Sequence, residues 1–263
     1  MRSLLTVACL TLLGCSHTSS ETASTPSAAS TPPAASAAAA QAIVNAPDRT
    51  EADRAIDAGR HPAAMLEFVG VQPGMKVAEL MAGGGYTTEL LARAVGPSGV
   101  VYGQNPKFVL ERFAEKPWSE RLARPVNHNV VRVDREFNDP LPPEATHLDA
   151  VVSNAIYHDT VWLGADRAKM NAAVFRALKP GGVYVVIDSS AKAGTGVNDA
   201  QTLHRIDEQT VRSEVLAAGF QLAGESKEWR NPEDTRDWSA SPSAAGARRG
   251  TGDRFALKFI KPR

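Results

Sequence analysis

The sequence has little cysteine, few aromatic residues and no excess of charge of either sign. Its 263 residues include two cysteines, aromatic residues make up 6%, and 29 basic side chains balance 29 acidic ones. Both cysteines, Cys9 and Cys15, lie within the first 15 residues, so the sequence after them offers no disulfide and no cysteine-based zinc site. A formal charge of zero gives no electrostatic reason to expect a nucleic-acid partner, because such binding relies on an excess of positive charge over phosphate. The composition therefore predicts no nucleic-acid partner.

The first 46 residues contain only two charged side chains, and an apolar run covers residues 4–13. A membrane-spanning helix needs about 20 residues, so this shorter run predicts the hydrophobic region of a signal peptide. The run leads into Leu12-Leu13-Gly14-Cys15, which resembles a bacterial lipobox. The resemblance implies cleavage before Cys15 and acylation of that cysteine. An ordinary secretory signal is one alternative, and a misassigned start of a cytoplasmic enzyme is another.

Composition also predicts the boundaries of the segments. Residues 1–14 form the predicted lipoprotein signal peptide, and residues 15–46 form the acylated cysteine and a tether rich in Ala, Ser, Thr and Pro. Residues 47–263 continue without a second linker, which predicts one folded domain. We therefore expect the protein in the cell envelope, held on a membrane by its N-terminal lipid and facing the periplasm. The sequence gives no indication of an oligomeric state.

Helix and strand signals alternate along residues 47–263. Strands are predicted at 76–80, 100–103, 130–133, 148–153, 183–188, 220–225 and 255–260, and helices at 49–58, 62–69, 86–95, 108–121, 166–178 and 208–218. The continuous apolar character of strand 183–188 suits a parallel sheet that is covered on both faces. This alternation predicts an α/β fold with a doubly wound, Rossmann-like sheet.

A glycine-rich turn, Gly83-Gly84-Gly85, separates the first strand from the next helix. Open parallel sheets bind ligands beyond the carboxyl ends of their strands, where glycines let backbone N–H groups approach a ligand closely. Together with Lys179-Pro180-Gly181-Gly182 before a late strand, this turn resembles the class I S-adenosylmethionine-dependent methyltransferases. The resemblance covers residues 47–263. It implies S-adenosylmethionine as cofactor and a seven-stranded sheet in which only the last strand is antiparallel.

Three further segments resemble a bacterial group of predicted exported methyltransferases. They are Tyr157-His158-Asp159, His204-Arg205-Ile206 and Asp253-Arg254-Phe255. A nicotinamide-dependent oxidoreductase is the nearest alternative on this fold, but it requires Gly-x-Gly-x-x-Gly or Ala. Thr88 stands at the last position of that pattern here, which argues against this alternative.

The resemblance assigns cofactor-binding residues to the glycine-rich turn. Glu79 matches the acid at the end of the first strand, and Gly83 and Gly85 match the second and third of the family's alternate glycines. Met81 stands where the family has its first glycine. A bulky side chain there changes the pocket beside the amino-acid part of the cofactor.

Two more cofactor-binding residues follow from the next two strands. Asn105 stands where these enzymes place an acid on the ribose diol, and an amide is also able to bond hydroxyl groups. Asp134 matches the position that meets the adenine amino group, with an exposed turn aspartate as the alternative. Arg60 and Asp57, in the N-terminal helices, either close the cofactor pocket or form a surface ion pair.

The predicted catalytic residues are His158, Asp159 and His204. Methyl transfer from a sulfonium is an in-line displacement, so the protein aligns donor and acceptor and in some cases removes a proton. His158 follows the fourth strand and is the predicted general base, while Asp159 orients it or contacts substrate. The alternative is an exposed His158 beside a helix-capping Asp159. With Asp188 these side chains also form a candidate metal site, but their spacing has no metal motif, so no metal is predicted.

The sequence thus predicts a lipid-anchored methyltransferase that uses S-adenosylmethionine and acts on a small-molecule acceptor. The alternative is a non-catalytic ligand-binding lipoprotein that keeps the fold, with Met81 and Asn105 as the signs of lost catalysis. The two differ in whether the protein binds and turns over the cofactor.

Overall fold

A computed structural model describes residues 34–263, and a seven-stranded sheet forms the centre of that part of the chain. The strands are β1 Lys76–Leu80, β2 Val100–Asn105, β3 Val130–Asp134, β4 Leu148–Asn154, β5 Leu178–Ser189, β6 Gln221–Ser226 and β7 Arg254–Ile260. Their order in the sheet is β3-β2-β1-β4-β5-β7-β6. β1 to β5 pair in parallel, whereas β7 is antiparallel to both β5 and β6. The predicted fold class is confirmed.

Helices cover both faces of the sheet. They are α1 Ala34–Val44, α2 Glu51–Arg60, α3 Pro62–Val69, α4 Tyr86–Val95, α5 Lys107–Val109, α6 Glu115–Leu122, α7 Asp159–Trp162, α8 Arg167–Ala177 and α9 Glu208–Ala217. A π-helical turn, Leu110–Ala114, joins α5 to α6. The predicted helices within this range are present, with ends that differ by a few residues because helix ends depend on local capping.

Alternate residues of the strands face two separate hydrophobic cores. Val151 of β4 belongs to the core beneath α8 and α9, while its neighbour Val152 belongs to the core beneath α3 and α4. This alternation follows from the two-residue period of a strand, and both faces are apolar because both are covered. The long apolar runs in the sequence are explained by this arrangement.

The folded part begins earlier than the boundary predicted at residue 47. Helix α1 occupies Ala34–Val44, and it buries Ala40 and Val44. Ala40 belongs to the core that also contains Met65 and Leu66 of α3. Alanine is the residue with the highest helix propensity, so an alanine-rich segment forms a helix once a neighbouring surface is available to pack against. The tether predicted over residues 15–46 is therefore wrong for Ala34–Val44.

Within residues 34–263, no helix is both long enough and apolar enough to cross a bilayer. The predicted signal peptide at 1–14, the acylation site Cys15 and the first part of the predicted tether lie outside the described residues.

Candidate active site

A cavity of about 780 Å³ opens at the carboxyl ends of the parallel strands. One side of it is formed by Glu79 and the glycine-rich turn after β1, and the other by residues that follow β4 and β5. Parallel α/β sheets place their ligands at this edge. The residues that line it and are used below are Arg60, Glu79, Met81, Gly83, Ala155, His158, Asp159, Trp162, His204 and Arg254.

The glycine-rich turn is held in place by the two residues that end β2. The side-chain oxygen of Gln104 accepts a hydrogen bond from the Met81 N–H at 2.9 Å. The side chain of Asn105 bonds Gly83 twice: its oxygen accepts from the Gly83 N–H at 2.8 Å, and its amide nitrogen donates to the Gly83 carbonyl at 3.1 Å. Asn105 is fully buried and does not line the cavity. Its contacts fix the turn, and the predicted contact with a ribose stays a prediction.

Gly83 and Gly85 are favoured at their positions in the turn for different reasons. Gly85 has φ 82°, and a Cβ there would lie 2.5 Å from the Trp118 ring. Gly83 has φ 56°, but a Cβ there would have no atom within 4 Å, because it faces open space. Gly85 is thus required by packing beneath the turn, whereas Gly83 leaves room on the cavity side. Both positive φ values favour glycine.

Met81 has a backbone conformation that favours glycine. Its φ is 50°, which is uncommon for a residue with a side chain. The residue lines the cavity, as predicted from its place in the turn. The methionine side chain therefore lies at the cavity wall on a backbone conformation that favours glycine.

Glu79 and Arg60 bring opposite charges to the same end of the cavity. Burial raises the pKa of the Glu79 carboxyl to about 7, and the hydroxyl of Thr88, which donates to Glu79, offsets part of this rise. Among residues 34–263, Arg60 has no carboxylate within ion-pair distance, because Asp57 pairs with Arg49 at 2.7 Å. The alternative of an Arg60–Asp57 surface pair is therefore wrong. A half-buried guanidinium that faces a cavity without a carboxylate partner in this range is suited to an anionic group of a ligand.

His158, Asp159 and His204 meet at the other end. Nε2 of His158 lies 3.2 Å from Nδ1 of His204 and 3.3 Å from Oδ1 of Asp159. The same His204 and Asp159 atoms are 3.6 Å apart. The structure thus brings together three residues that the sequence separates by up to 46 positions. Asp188 at the end of β5 supports them: its carboxylate accepts from Nδ1 of His158 at 2.7 Å and from the His158 backbone N–H at 2.8 Å.

The charges around the two imidazoles differ. Burial opposes protonation of His158, but the carboxylates of Asp188 and Asp159 outweigh it and raise the pKa of His158 to about 10. Burial, together with repulsion from His158, lowers the pKa of His204. A histidine that is protonated at neutral pH has no lone pair to accept a proton. This arrangement argues against His158 as the predicted general base.

Backbone strain is concentrated at the cavity. In residues 34–263, six residues other than glycine have a positive φ, and three of them line the cavity: Met81, Ala155 and His204. Such conformations persist where the surrounding structure imposes them, and they cluster at functional sites.

Asp134 lies apart from the cavity. Its carboxylate pairs with Arg132 at 2.9 Å, and its side chain is 46% exposed. This position matches the alternative of an exposed turn aspartate. The predicted contact with an adenine stays a prediction.

Some cavity residues carried no predicted role. Trp162 donates from its indole nitrogen to Oδ1 of Asp159 at 2.8 Å. Arg254 of β7 lines the cavity close to Arg60, and burial together with repulsion from Arg60 lowers its pKa to about 10. Arg254 belongs to the Asp253-Arg254-Phe255 segment of the family resemblance. The pairing of β7 with β5 brings it to the cavity.

Comparison with known proteins agrees with this geometry. Residues 34–133 match the family model of protein-L-isoaspartate(D-aspartate) O-methyltransferase. A SAM-dependent methyltransferase from Aquifex aeolicus is 17% identical, with a TM-score of 0.56 and coverage of 84% of this chain and 97% of that chain.

Two further solved structures share the fold. An arsenic(III) S-adenosylmethionine methyltransferase from Chlamydomonas reinhardtii is 16% identical, with a TM-score of 0.52 and coverage of 89% of this chain and 75% of that chain. The YcgJ protein from Bacillus subtilis is 16% identical, with a TM-score of 0.52 and coverage of 76% and 97%. The predicted enzyme class is that of the family model, and the predicted cofactor is the one named for the first two of these neighbours. The chain therefore has the fold of the class I S-adenosylmethionine-dependent methyltransferases.

Proposed function

We propose that this protein transfers a methyl group from S-adenosylmethionine to a small-molecule acceptor. The observation that carries the proposal is that one cavity connects the glycine-rich turn to the cluster of His158, Asp159 and His204. A transferase needs donor and acceptor side by side in one space. A volume of about 780 Å³ is within the usual range for small-ligand sites.

The side chains at the turn fit the methionine part of the cofactor. That part carries an ammonium and a carboxylate, and the cavity offers an acid, Glu79, and a guanidinium without a carboxylate partner in the described range, Arg60. Gly83 leaves open space beside them. When bound, the cofactor supplies a methyl group on a sulfonium sulfur, which is a good leaving group. Glu79 and Arg60 would orient the methionine part so that this methyl group faces the far end of the cavity.

The wall of the cavity that Arg60 and Arg254 share suits an acceptor that carries a negative charge, in addition to the cofactor carboxylate. Arg254 adds a second cation to this wall. Within residues 34–263, the only hydrogen-bond acceptor of its guanidinium is the Gly59 carbonyl, at 2.9 Å. One cofactor carboxylate leaves one of the two guanidinium groups uncompensated. Trp162 contributes an aromatic surface against which an acceptor would pack.

Calorimetric titration of the purified full chain with S-adenosylhomocysteine tests the cofactor assignment. We expect one site per chain with micromolar affinity. Absence of binding at about millimolar ligand would contradict the proposal, since it would mean a free energy weaker than about −4 kcal/mol. Binding without transfer to any acceptor would instead favour the non-catalytic alternative.

The lipid anchor is a separate part of the proposal. Its support is the apolar run at residues 4–13 followed by Leu12-Leu13-Gly14-Cys15. Labelling of the expressed protein with radioactive palmitate should be strong in the wild type and lost in Cys15→Ser. Cys9→Ser is the matched control, because Cys9 lies within the predicted signal peptide and should not affect labelling. Label that persists in Cys15→Ser, or no label in the wild type, would contradict the anchor.

A further inference from the structure

The cluster of His158, Asp159 and His204 has the geometry of a metal site. Its three facing atoms, Nε2 of His158, Nδ1 of His204 and Oδ1 of Asp159, form a triangle with sides of 3.2, 3.3 and 3.6 Å. Ligands at about 2.0–2.2 Å from a tetrahedral ion lie about 3.3–3.6 Å from one another. We propose that these three side chains bind one divalent transition-metal ion at the acceptor end of the cavity.

A second observation supports the same assignment. Histidine ligands of metals commonly donate their other ring nitrogen to a carboxylate, which fixes the ring and its tautomer. His158 does this: its Nδ1 donates to Asp188 at 2.7 Å, and Asp188 is fully buried. The backbone N–H groups of His158 and Ser189 also donate to Asp188 and hold its carboxylate in place. The Nε2 atom of His158 is therefore aimed at the centre of the cluster by a rigid support.

The charge of the cluster suits a dication. Asp159 and Asp188 bring two carboxylates to neighbouring positions, and a bound dication would displace the second proton of His158, which leaves both imidazoles neutral. Trp162 donates to the same Asp159 oxygen, which keeps a second lone pair for a metal. Two nitrogens and one oxygen favour Zn²⁺, Fe²⁺, Co²⁺ or Mn²⁺ over Ca²⁺ and Mg²⁺, which prefer oxygen ligands.

The fourth position of the site is open. All three ligand residues line the cavity, so a metal held by them would face the same space as the glycine-rich turn. Three protein ligands with an open position are typical of catalytic metal sites, whereas structural zinc sites have four. An acceptor oxygen or nitrogen would occupy this position. The proposal goes beyond the proposed function, and metal binding is measurable without any cofactor.

Titration of the EDTA-treated full chain with Co²⁺ tests this site. We expect one ion per chain and the visible absorption bands of Co²⁺ bound by nitrogen and oxygen ligands in a low-symmetry site. Saturating Zn²⁺ should remove these bands by competition and raise the midpoint of thermal unfolding, because it binds only the folded state.

Variants locate the ion. His204→Gly removes one ligand without backbone strain, because glycine tolerates the φ of 49° at this position. It should lower Co²⁺ affinity by at least about tenfold and change the spectrum. Asp188→Asn should lower affinity by about 10–100-fold, as expected for a residue that orients a ligand. His128→Gln is the matched control, since His128 is exposed and lies outside the cavity.

Equal affinities in the wild type and His204→Gly would overturn the proposal, because the ion would then bind elsewhere. So would a dissociation constant above about 1 mM for both Co²⁺ and Zn²⁺. Thermal unfolding without metal shows whether each variant is folded. If Asp188→Asn is not folded, the affinity of His204→Gly alone tests the site. A failure here leaves the titration with S-adenosylhomocysteine unaffected, so the two proposals fail separately.

Discussion

The two ends of the cavity are built from the chain in different ways. The end at the glycine-rich turn uses one short segment, residues 79–85, fixed from behind by Gln104 and Asn105 of the neighbouring strand. The end at the histidine cluster uses residues after β4 and β5 that are up to 46 positions apart. The first is held by hydrogen bonds between side-chain amides and the backbone and by close packing, and the second by ionisable side chains. Substitutions should therefore damage the fold at the first end and the chemistry at the second.

The largest effect is expected from Gly85→Ala. The new Cβ would lie 2.5 Å from Trp118 and 2.7 Å from Arg121, at a φ of 82°. We expect a loss of about 3 kcal/mol in the free energy of unfolding, measured with urea. Gly83→Ala is the matched control: it shares the positive φ but meets no atom within 4 Å, so it should cost about 1 kcal/mol. Equal costs would show that packing under the turn is looser than described.

Asn105→Asp should come next. Aspartate keeps the acceptor for the Gly83 N–H but loses the donor to the Gly83 carbonyl, and it places a carboxylate against that carbonyl. Because the residue is fully buried, we expect a loss of about 2 kcal/mol in the free energy of unfolding. Asp134→Asn, at the exposed end of the next strand, should change it by less than about 0.5 kcal/mol. If Asn105→Asp instead left stability unchanged and altered only cofactor affinity, Asn105 would be a cofactor residue, as predicted from the sequence.

Glu79→Gln tests the charge at the turn. The wild-type carboxyl has a pKa of about 7, so its ionised fraction falls from about half at pH 7 to about one tenth at pH 6. If the ionised form binds the cofactor ammonium, affinity for S-adenosylhomocysteine should fall about fivefold over that interval. The ligand ammonium stays protonated there, since its pKa is about 7.7–8.0.

In Glu79→Gln the affinity should be about tenfold lower at pH 7 and should not vary between pH 7 and pH 6. Glu115→Gln replaces an exposed glutamate outside the cavity and should retain both the affinity and the pH dependence of the wild type. A pH dependence that survives in Glu79→Gln would assign it to another group.

The smallest effect is expected for cofactor affinity in His204→Gly. If the two ends act separately, S-adenosylhomocysteine should bind within about twofold of the wild-type affinity, measured by calorimetry. A loss of affinity comparable to that of Glu79→Gln would mean that His204 contacts the cofactor. The cavity would then not be divided into a donor end and an acceptor end.

Much of the fold followed from local patterns. Strands such as 76–80 and 183–188 are apolar throughout because both faces of a central parallel strand are buried, and the turns between elements contain glycine and proline. Helix α1 was missed as part of the body, since an alanine-rich sequence has no amphipathic period to show that it packs.

The candidate site was predicted unevenly. Glu79, Met81 and Gly83 belong to one turn, so their positions in the sequence already placed them together at the cavity. The sequence predicts that Asn105 contacts a ribose, whereas in the structure its side-chain amide makes two hydrogen bonds with the Gly83 backbone. No local pattern reveals which backbone group a buried amide will meet, because that group lies in a turn that is distant along the chain.

The sequence by itself determined the order of strands and helices along the chain, the glycine-rich turn and the residues within that turn. These features depend on residues that are close along the chain. The spacing of hydrophobic residues and the backbone preference of glycine therefore reveal them. The tertiary structure decided that His158, Asp159 and His204 form a triangle backed by Asp188, and that Arg60 and Arg254 share one wall. Such contacts depend on which strand ends lie side by side in the sheet, and a sequence separation of 46 residues carries no information about a distance of 3.2 Å.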